Sequence, residues 1–130
     1  MLVLDTNMLI YFFKGMGNVA QKMLATPPKD IAVPVVVLYE LEVGLQKSSS
    51  PRKRKTQLNQ LIDIVTTLPF GSKEAEVAAA IRSKLEKKGL LVGPYDILIA
   101  ATALAGNHTL VTHNVKEFKR IPGLKVEDWY

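Results

Sequence analysis

Five short apolar or extended runs, separated by stretches of helical periodicity, restrict this sequence to an alternating architecture. The runs are Met1–Asp5, Asp30–Val33, Leu68–Phe70, Thr109–Thr112 and Leu124–Val126. Apolar runs this short read as buried strands. Thr6 or Asn7 can cap a helix reaching Lys14, where Gly15 and Gly17 form a stop; Asn18–Thr26 is a second helix, ended by Pro27-Pro28. Pro34 fits the first turn of a helix running to Lys47, although Val35-Val36-Val37 leaves a strand open. Over Arg52–Thr67, Leu58, Leu61, Ile62 and Val65 recur at helical spacing. Ser72 caps a helix that ends at Gly89, with Glu74 and Glu76 in its first turn and Lys84, Lys87 and Lys88 in its last, as the helix dipole favours. Gly93-Pro94 opens another, apolar on nearly all sides from Ile97 to Ala105, which implies a central position. Val115–Arg120 makes a short final helix. The expectation is one α/β domain over residues 1–130, a central, mainly parallel sheet flanked by helices.

Three acids sit in this pattern where charge is costly. Asp5 follows Met-Leu-Val-Leu, Glu40 lies inside Val-Val-Val-Leu-Tyr-Glu-Leu, and Asp96 precedes Ile-Leu-Ile-Ala-Ala. An isolated ionised carboxylate in such a setting costs roughly several kcal/mol unless it is paired, hydrogen-bonded or bound to a metal. Each has a plainer use as well. Asp5 and Asp96 can cap the helices they precede or open, and Asn114 can cap the short helix after it. Glu40 has Val36, Val37, Val43 and Gly44 as helical neighbours, and Glu42 has Leu38, Tyr39, Leu45 and Gln46, so periodicity does not choose between them. In open parallel sheets, sites form beyond the carboxyl ends of strands, where Asp5 and Thr112-His113-Asn114 fall. If the acids converge, hard oxygen donors on separate segments suit Mg²⁺ or Mn²⁺, not zinc or copper. His108 and His113 lack metal-ligand spacing and read as ordinary strand-end residues.

The chain has no cysteine, which excludes disulfides, thiolate zinc sites and cysteine nucleophiles and fits a reducing compartment. No basic region precedes the N-terminal apolar residues, and no run reaches membrane-span length, so the expectation is a cytoplasmic protein with no membrane association. The net charge of +5 suits a polyanionic partner such as nucleic acid. Arg52-Lys53-Arg54-Lys55 concentrate that charge, with further lysines and arginines at 84, 87, 88, 116, 119 and 120. Nucleic-acid docking or a solvated helix face explains each cluster equally well.

Four segments occur in order: Leu4-Asp5-Thr6-Asn7, Glu40-Leu41-Glu42-Val43-Gly44, Asp96-Ile97-Leu98-Ile99-Ala100-Ala101, and Leu110-Val111-Thr112-His113-Asn114-Val115-Lys116-Glu117-Phe118. Together they resemble a PIN-domain ribonuclease, specifically the VapC-type toxins of prokaryotic type II toxin–antitoxin pairs. The closing residues 122–129 resemble that subfamily too, so the likeness spans essentially the whole chain. The resemblance implies an endoribonuclease dependent on Mg²⁺, or Mn²⁺, with Asp5, Glu40 and Asp96 as metal ligands. It selects Glu40, four residues before Gly44, over Glu42. The fourth position, often Asp in the wider superfamily, is Asn114, with Glu117 three residues on; either completes the site. Thr6 and Thr112 would be supporting hydroxyls. RNA, in some relatives tRNA, is the implied substrate. A VapB-like antitoxin is the implied inhibitor and a homodimer the implied assembly; Tyr39 and the apolar residues of the first two helices are candidate contacts, with core packing the plainer use for any one of them.

Rival readings fit less well. A phosphatase whose nucleophilic Asp follows the first strand needs a second Asp two residues on, and position 7 is Asn7. A phospho-acceptor domain needs an acidic pair near the first strand, which is absent. The alternative that remains is a catalytically inactive PIN-fold module that binds RNA or protein.

Overall fold

The computed structural model describes residues 1–130. Its centre is β1 (Leu2–Leu4), which pairs in parallel with β2 (Ile31–Pro34) on one side and with β4 (Thr109–Val111) on the other. The edges are β3 (Thr66–Leu68), paired with β2, and β5 (Lys125–Glu127), paired with β4. All four pairings are parallel and the order is β3-β2-β1-β4-β5. The chain therefore builds outward from β1 to β3, crosses back, and continues on the opposite side. The reversal falls between β1 and β4, the switch point beside which parallel sheets place their ligands.

Seven helices make the crossovers: α1 (Thr6–Lys14), α2 (Val19–Leu24), α3 (Val35–Lys47), α4 (Pro51–Ile62), α5 (Ser72–Lys87), α6 (Pro94–Ala105) and α7 (Val115–Phe118). As its composition requires, α6 is the most deeply set, with Ile97 and Ile99 to Ala103 buried. Thr102 lies inside without penalty because its hydroxyl donates to the Leu98 carbonyl at 2.8 Å. The core joins β1, β2 and β4 to Met8 and Leu9 of α1, Val19 and Met23 of α2, Ile81 and Leu85 of α5, and Trp129. No helix is long and apolar enough to cross a membrane.

The single α/β fold matches the sequence expectation, and several boundaries differ. The sheet is wholly rather than mainly parallel. The helix expected over Arg52–Thr67 ends at Ile62, and the extended piece begins at Thr66 instead of Leu68. Helical spacing continues through Val65, but Thr66 and Thr67 are β-branched and pair with Ala32 and Val33, so sheet pairing overrides the local pattern. Pro34 ends β2 and Val35 begins α3, which settles the Val35–Val37 alternative as helix. Neither Thr6 nor Asn7 caps α1. Asp5 does, its Oδ1 accepting from Met8 N–H at 2.9 Å. Ser72 is the first residue of α5, not its cap; Glu74 reaches back to accept from Gly71 N–H at 2.8 Å. α2 and α7 are shorter than expected, and β5 is displaced by one residue.

Gly15 and Gly17 stop α1 as foreseen, both at positive φ, and they differ in surroundings. A Cβ on Gly15 would meet nothing within 4 Å, while one on Gly17 would stand 2.7 Å from the Tyr130 carbonyl oxygen. Asn18 N–H donates to that same carbonyl at 2.8 Å. Gly15→Ala should therefore cost about 1–2 kcal/mol, the left-handed backbone penalty alone. Gly17→Ala should cost measurably more because it also displaces Tyr130. Chemical denaturation of the two variants tests the ranking, and equal losses would contradict it.

Candidate active site

The switch point collects side chains from five segments. Asp5 leaves the end of β1, its backbone N–H joined to the Val111 carbonyl of β4 at 3.2 Å. It is 5% exposed. With Oδ1 committed to Met8 N–H, it serves as helix cap and buried charge together. Burial pushes its carboxyl above the usual range, and the charges of Glu40 and Asp128 push the same way. Hydrogen bonds from Thr112 and the Met8 backbone oppose them without cancelling the rise.

Glu40 arrives from α3, nearly two turns in, and its Oε1 accepts the Thr6 hydroxyl at 2.7 Å. Glu42, which periodicity left as an equal candidate, is a half-buried residue paired with Lys55 instead. Asp96 lies in the first turn of α6. Its carboxyl is raised to about 6, first by burial and then by the charges of Glu117, Asp5 and Glu40. Gly93, just ahead of α6, marks where Asp96 and Glu117 meet. A Cβ there would stand 3.4 Å from Asp96 Oδ2 and 4.0 Å from Glu117 Oε1.

Glu117 of α7 accepts from Gly93 N–H at 2.9 Å through Oε1, and its Oε2 accepts from the Asn114 side-chain amide. Asn114 thus steadies Glu117, and it is Glu117 whose charge bears on Asp96. Thr112 is fully buried; its hydroxyl accepts from Asn114 N–H at 3.0 Å. Every candidate from the sequence is therefore found at this end of the sheet: Asp5, Thr6, Glu40, Asp96, Thr112, Asn114 and Glu117.

Sequence reasoning missed Asp128, whose charge reaches Asp5. It also holds the His113 ring, with Oδ2 3.0 Å from Nδ1. The pairing of β5 with β4 brings it there, and nothing in the local sequence marks that register. Tyr39 and Tyr95, the residues just before Glu40 and Asp96, lie at the rim. A hydrogen bond with Tyr39 is the main influence raising the Tyr95 hydroxyl's proton affinity, and the Glu40 charge adds to it.

The carboxylates are near enough to disfavour one another's ionisation. No three acidic or histidine side chains close on a single ion-sized point in this arrangement. The donors are all hard oxygens, and their shared electrostatic penalty is one a divalent cation relieves.

Because the folded Asp96 carboxyl holds its proton more tightly than an unfolded one, the stability Asp96 contributes is present at low pH and is lost as pH rises from near 3.8 to about 6. In chelator-treated protein, Asp96→Asn should therefore melt a few degrees above the parent at pH 7. The gap should close at pH values below that window. Equal melting temperatures at pH 7 would contradict the assigned repulsion.

The PIN-domain family model matches residues 2–124. Ribonuclease VapC2 of Rickettsia felis is 37% identical over 129 residues, covering 98% of this chain and 96% of that protein. The tRNA(fMet)-specific endonuclease VapC of Salmonella typhimurium is 32% identical over 127 residues, with the same shares covered. Among solved structures, VapBC2 of Rickettsia felis bound to a DNA fragment from its promoter matches with a TM-score of 0.91 and 35% identity, over 99% of this chain and 98% of that one. DNA-bound VapBC of Salmonella typhimurium matches with a TM-score of 0.92 and 32% identity over the same shares. The likeness runs through every segment that feeds the acidic pocket, and on that footing the chain belongs to the PIN-domain family, among its VapC ribonucleases.

Proposed function

We propose that this chain is an endoribonuclease toxin that hydrolyses RNA phosphodiester bonds and is neutralised by a VapB-like antitoxin. The observation that carries the reading is the meeting of Asp5, Glu40, Asp96 and Glu117, from four separate segments, beside the switch point of the sheet. Acids that raise one another's proton affinity suit a reactive site, and with relatives that are ribonucleases the inactive alternative is not favoured.

The hard-oxygen donors suit Mg²⁺ or Mn²⁺ in kind; Asp5 and Asp96 would hold the ion, and Glu40 would join them only by drawing in from its present position. When bound, such an ion would supply a water of lowered pKa and offset negative charge on the phosphate. The chain's own residues do the rest. Met8 N–H and Thr112 fix the Asp5 carboxylate. Thr6 fixes Glu40, placing a carboxylate that can orient an attacking water. Asn114 and Gly93 fix Glu117 beside Asp96, so both fourth-position candidates take part, Asn114 through Glu117. The excess of basic residues holds the RNA backbone, a grip that weakens as salt rises.

A groove of about 400 Å³ between α1, α3 and α4 opens from Glu40 along Ile10, Phe13, Leu41 and Leu58. An antitoxin segment seated there would cover the pocket. A homodimer, a structured RNA such as tRNA as the target, and a cytoplasmic setting complete the reading.

RNA cleavage by the purified chain should need Mg²⁺ or Mn²⁺ and stop with chelator. Removing a ligand forfeits several kcal/mol of charge stabilisation, so Asp5→Asn or Asp96→Asn should slow cleavage by about a hundredfold or more while the fold persists. Unchanged rates in both variants would refute the assigned roles. Glu40→Gln should also cut activity sharply. Glu42→Gln, losing only an exposed ion pair, should stay within about twofold of the parent. Sequencing RNA ends after induced expression would identify the target.

A further inference from the structure

We infer that Tyr39 and Tyr95 form a stacking platform for an unpaired base of the RNA beside the bond being cut. The inference rests on the pocket being an RNA-cleaving centre and adds a base-binding subsite to it. Each ring belongs to the residue immediately before a pocket carboxylate, Tyr39 before Glu40 on α3 and Tyr95 before Asp96 on α6. The two helices pack together, so rings remote in sequence meet with centroids 5.7 Å apart and planes inclined by 52°. Both remain open to solvent, at 53% and 44% exposure.

Tyr39 and Tyr95 contact one another as the other aromatics do, and what sets the pair apart is its exposure beside two pocket acids. Tyr130 stacks on His113 at 4.2 Å and meets Tyr11 edge-on at 5.0 Å, and Phe13 is covered by the Arg54 guanidinium. A strand entering the acidic pocket is repelled there by four carboxylates. A basic side chain at the rim would pair with those acids. An aromatic face attracts a base without adding charge, and it accepts any base because each has a π-face. A single-stranded segment is the form of RNA whose bases are free to be splayed onto such rings.

The test uses full-length protein. Tyr39→Ala and Tyr95→Ala, singly and together, should raise KM for RNA by about five- to a hundredfold with kcat nearly unchanged. Tyr39→Phe and Tyr95→Phe should recover most of the KM lost in the Ala variants, because stacking needs the ring more than the hydroxyl. In a second measurement, chelator-treated Asp96→Asn protein binds short single-stranded RNAs carrying 2-aminopurine at successive positions. Fluorescence should be quenched at one or two adjacent positions, and the quenching should vanish in the double Ala background. Quenching that persists there, or an unaltered KM in the Ala variants, overturns the platform. So does a change of oligomeric state in those variants by sedimentation, which would make the rings a contact between copies. A parent chain that cuts no RNA with Mg²⁺ or Mn²⁺ defeats the nuclease reading itself, an outcome separable from the others.

Discussion

The structure turns on a conflict at one position. Asp5 must leave the central strand, start α1 and carry a charge where water hardly reaches. The sheet order makes this unavoidable, because the reversal between β1 and β4 directs the C-terminal ends of both strands into the same crevice. Backbone and hydroxyl donors from Met8 and Thr112 hold the carboxylate without removing its discomfort, since Glu40 and Asp128 stand close enough to oppose it. The rest of the pocket repeats the conflict. Asp96 sits at a helix start, which favours its charge, yet burial and three neighbouring acids leave it well above a free carboxylate. Such an arrangement lowers stability, a cost that the proposed cation would offset.

Small polar contacts decide which acids face the pocket. Glu40 and Glu42 are two residues apart on one helix and point about 200° apart by helical geometry. One accepts the Thr6 hydroxyl at the pocket; the other joins Lys55 at the surface. At the far side, Asn114 acts on the pocket through its neighbour, tethering Glu117 while Gly93 fixes the opposite oxygen. An uncharged residue at a position often acidic is thus compatible with an acidic wall, because the charge is supplied one helical turn later.

Much of this was legible in the sequence. The all-round apolar α6 announced its central place, the charges of α5 marked its two ends, and acids inside apolar runs announced a pocket. What periodicity could not supply was partner identity. Nothing local distinguishes Val65-Thr66-Thr67 as the last turn of a helix from the start of an edge strand; Ala32 and Val33 decide it from thirty residues away. The choice between Glu40 and Glu42 depended likewise on Thr6 and Lys55, and Asp128 on the register of the final strand. Contacts between segments are long-range facts, and short windows of sequence do not contain them.

The latch between Tyr130 and the turn at Gly17-Asn18 fastens the last residues to a turn formed near the start. Thr112, Asn114, Glu117 and Asp128 all follow α6 in the chain, as do β4 and β5. A chain still emerging from the ribosome holds Asp5 and Glu40 but lacks the wall that faces them. The acidic pocket is therefore complete only after the segments from β4 onward have been made and paired with β1.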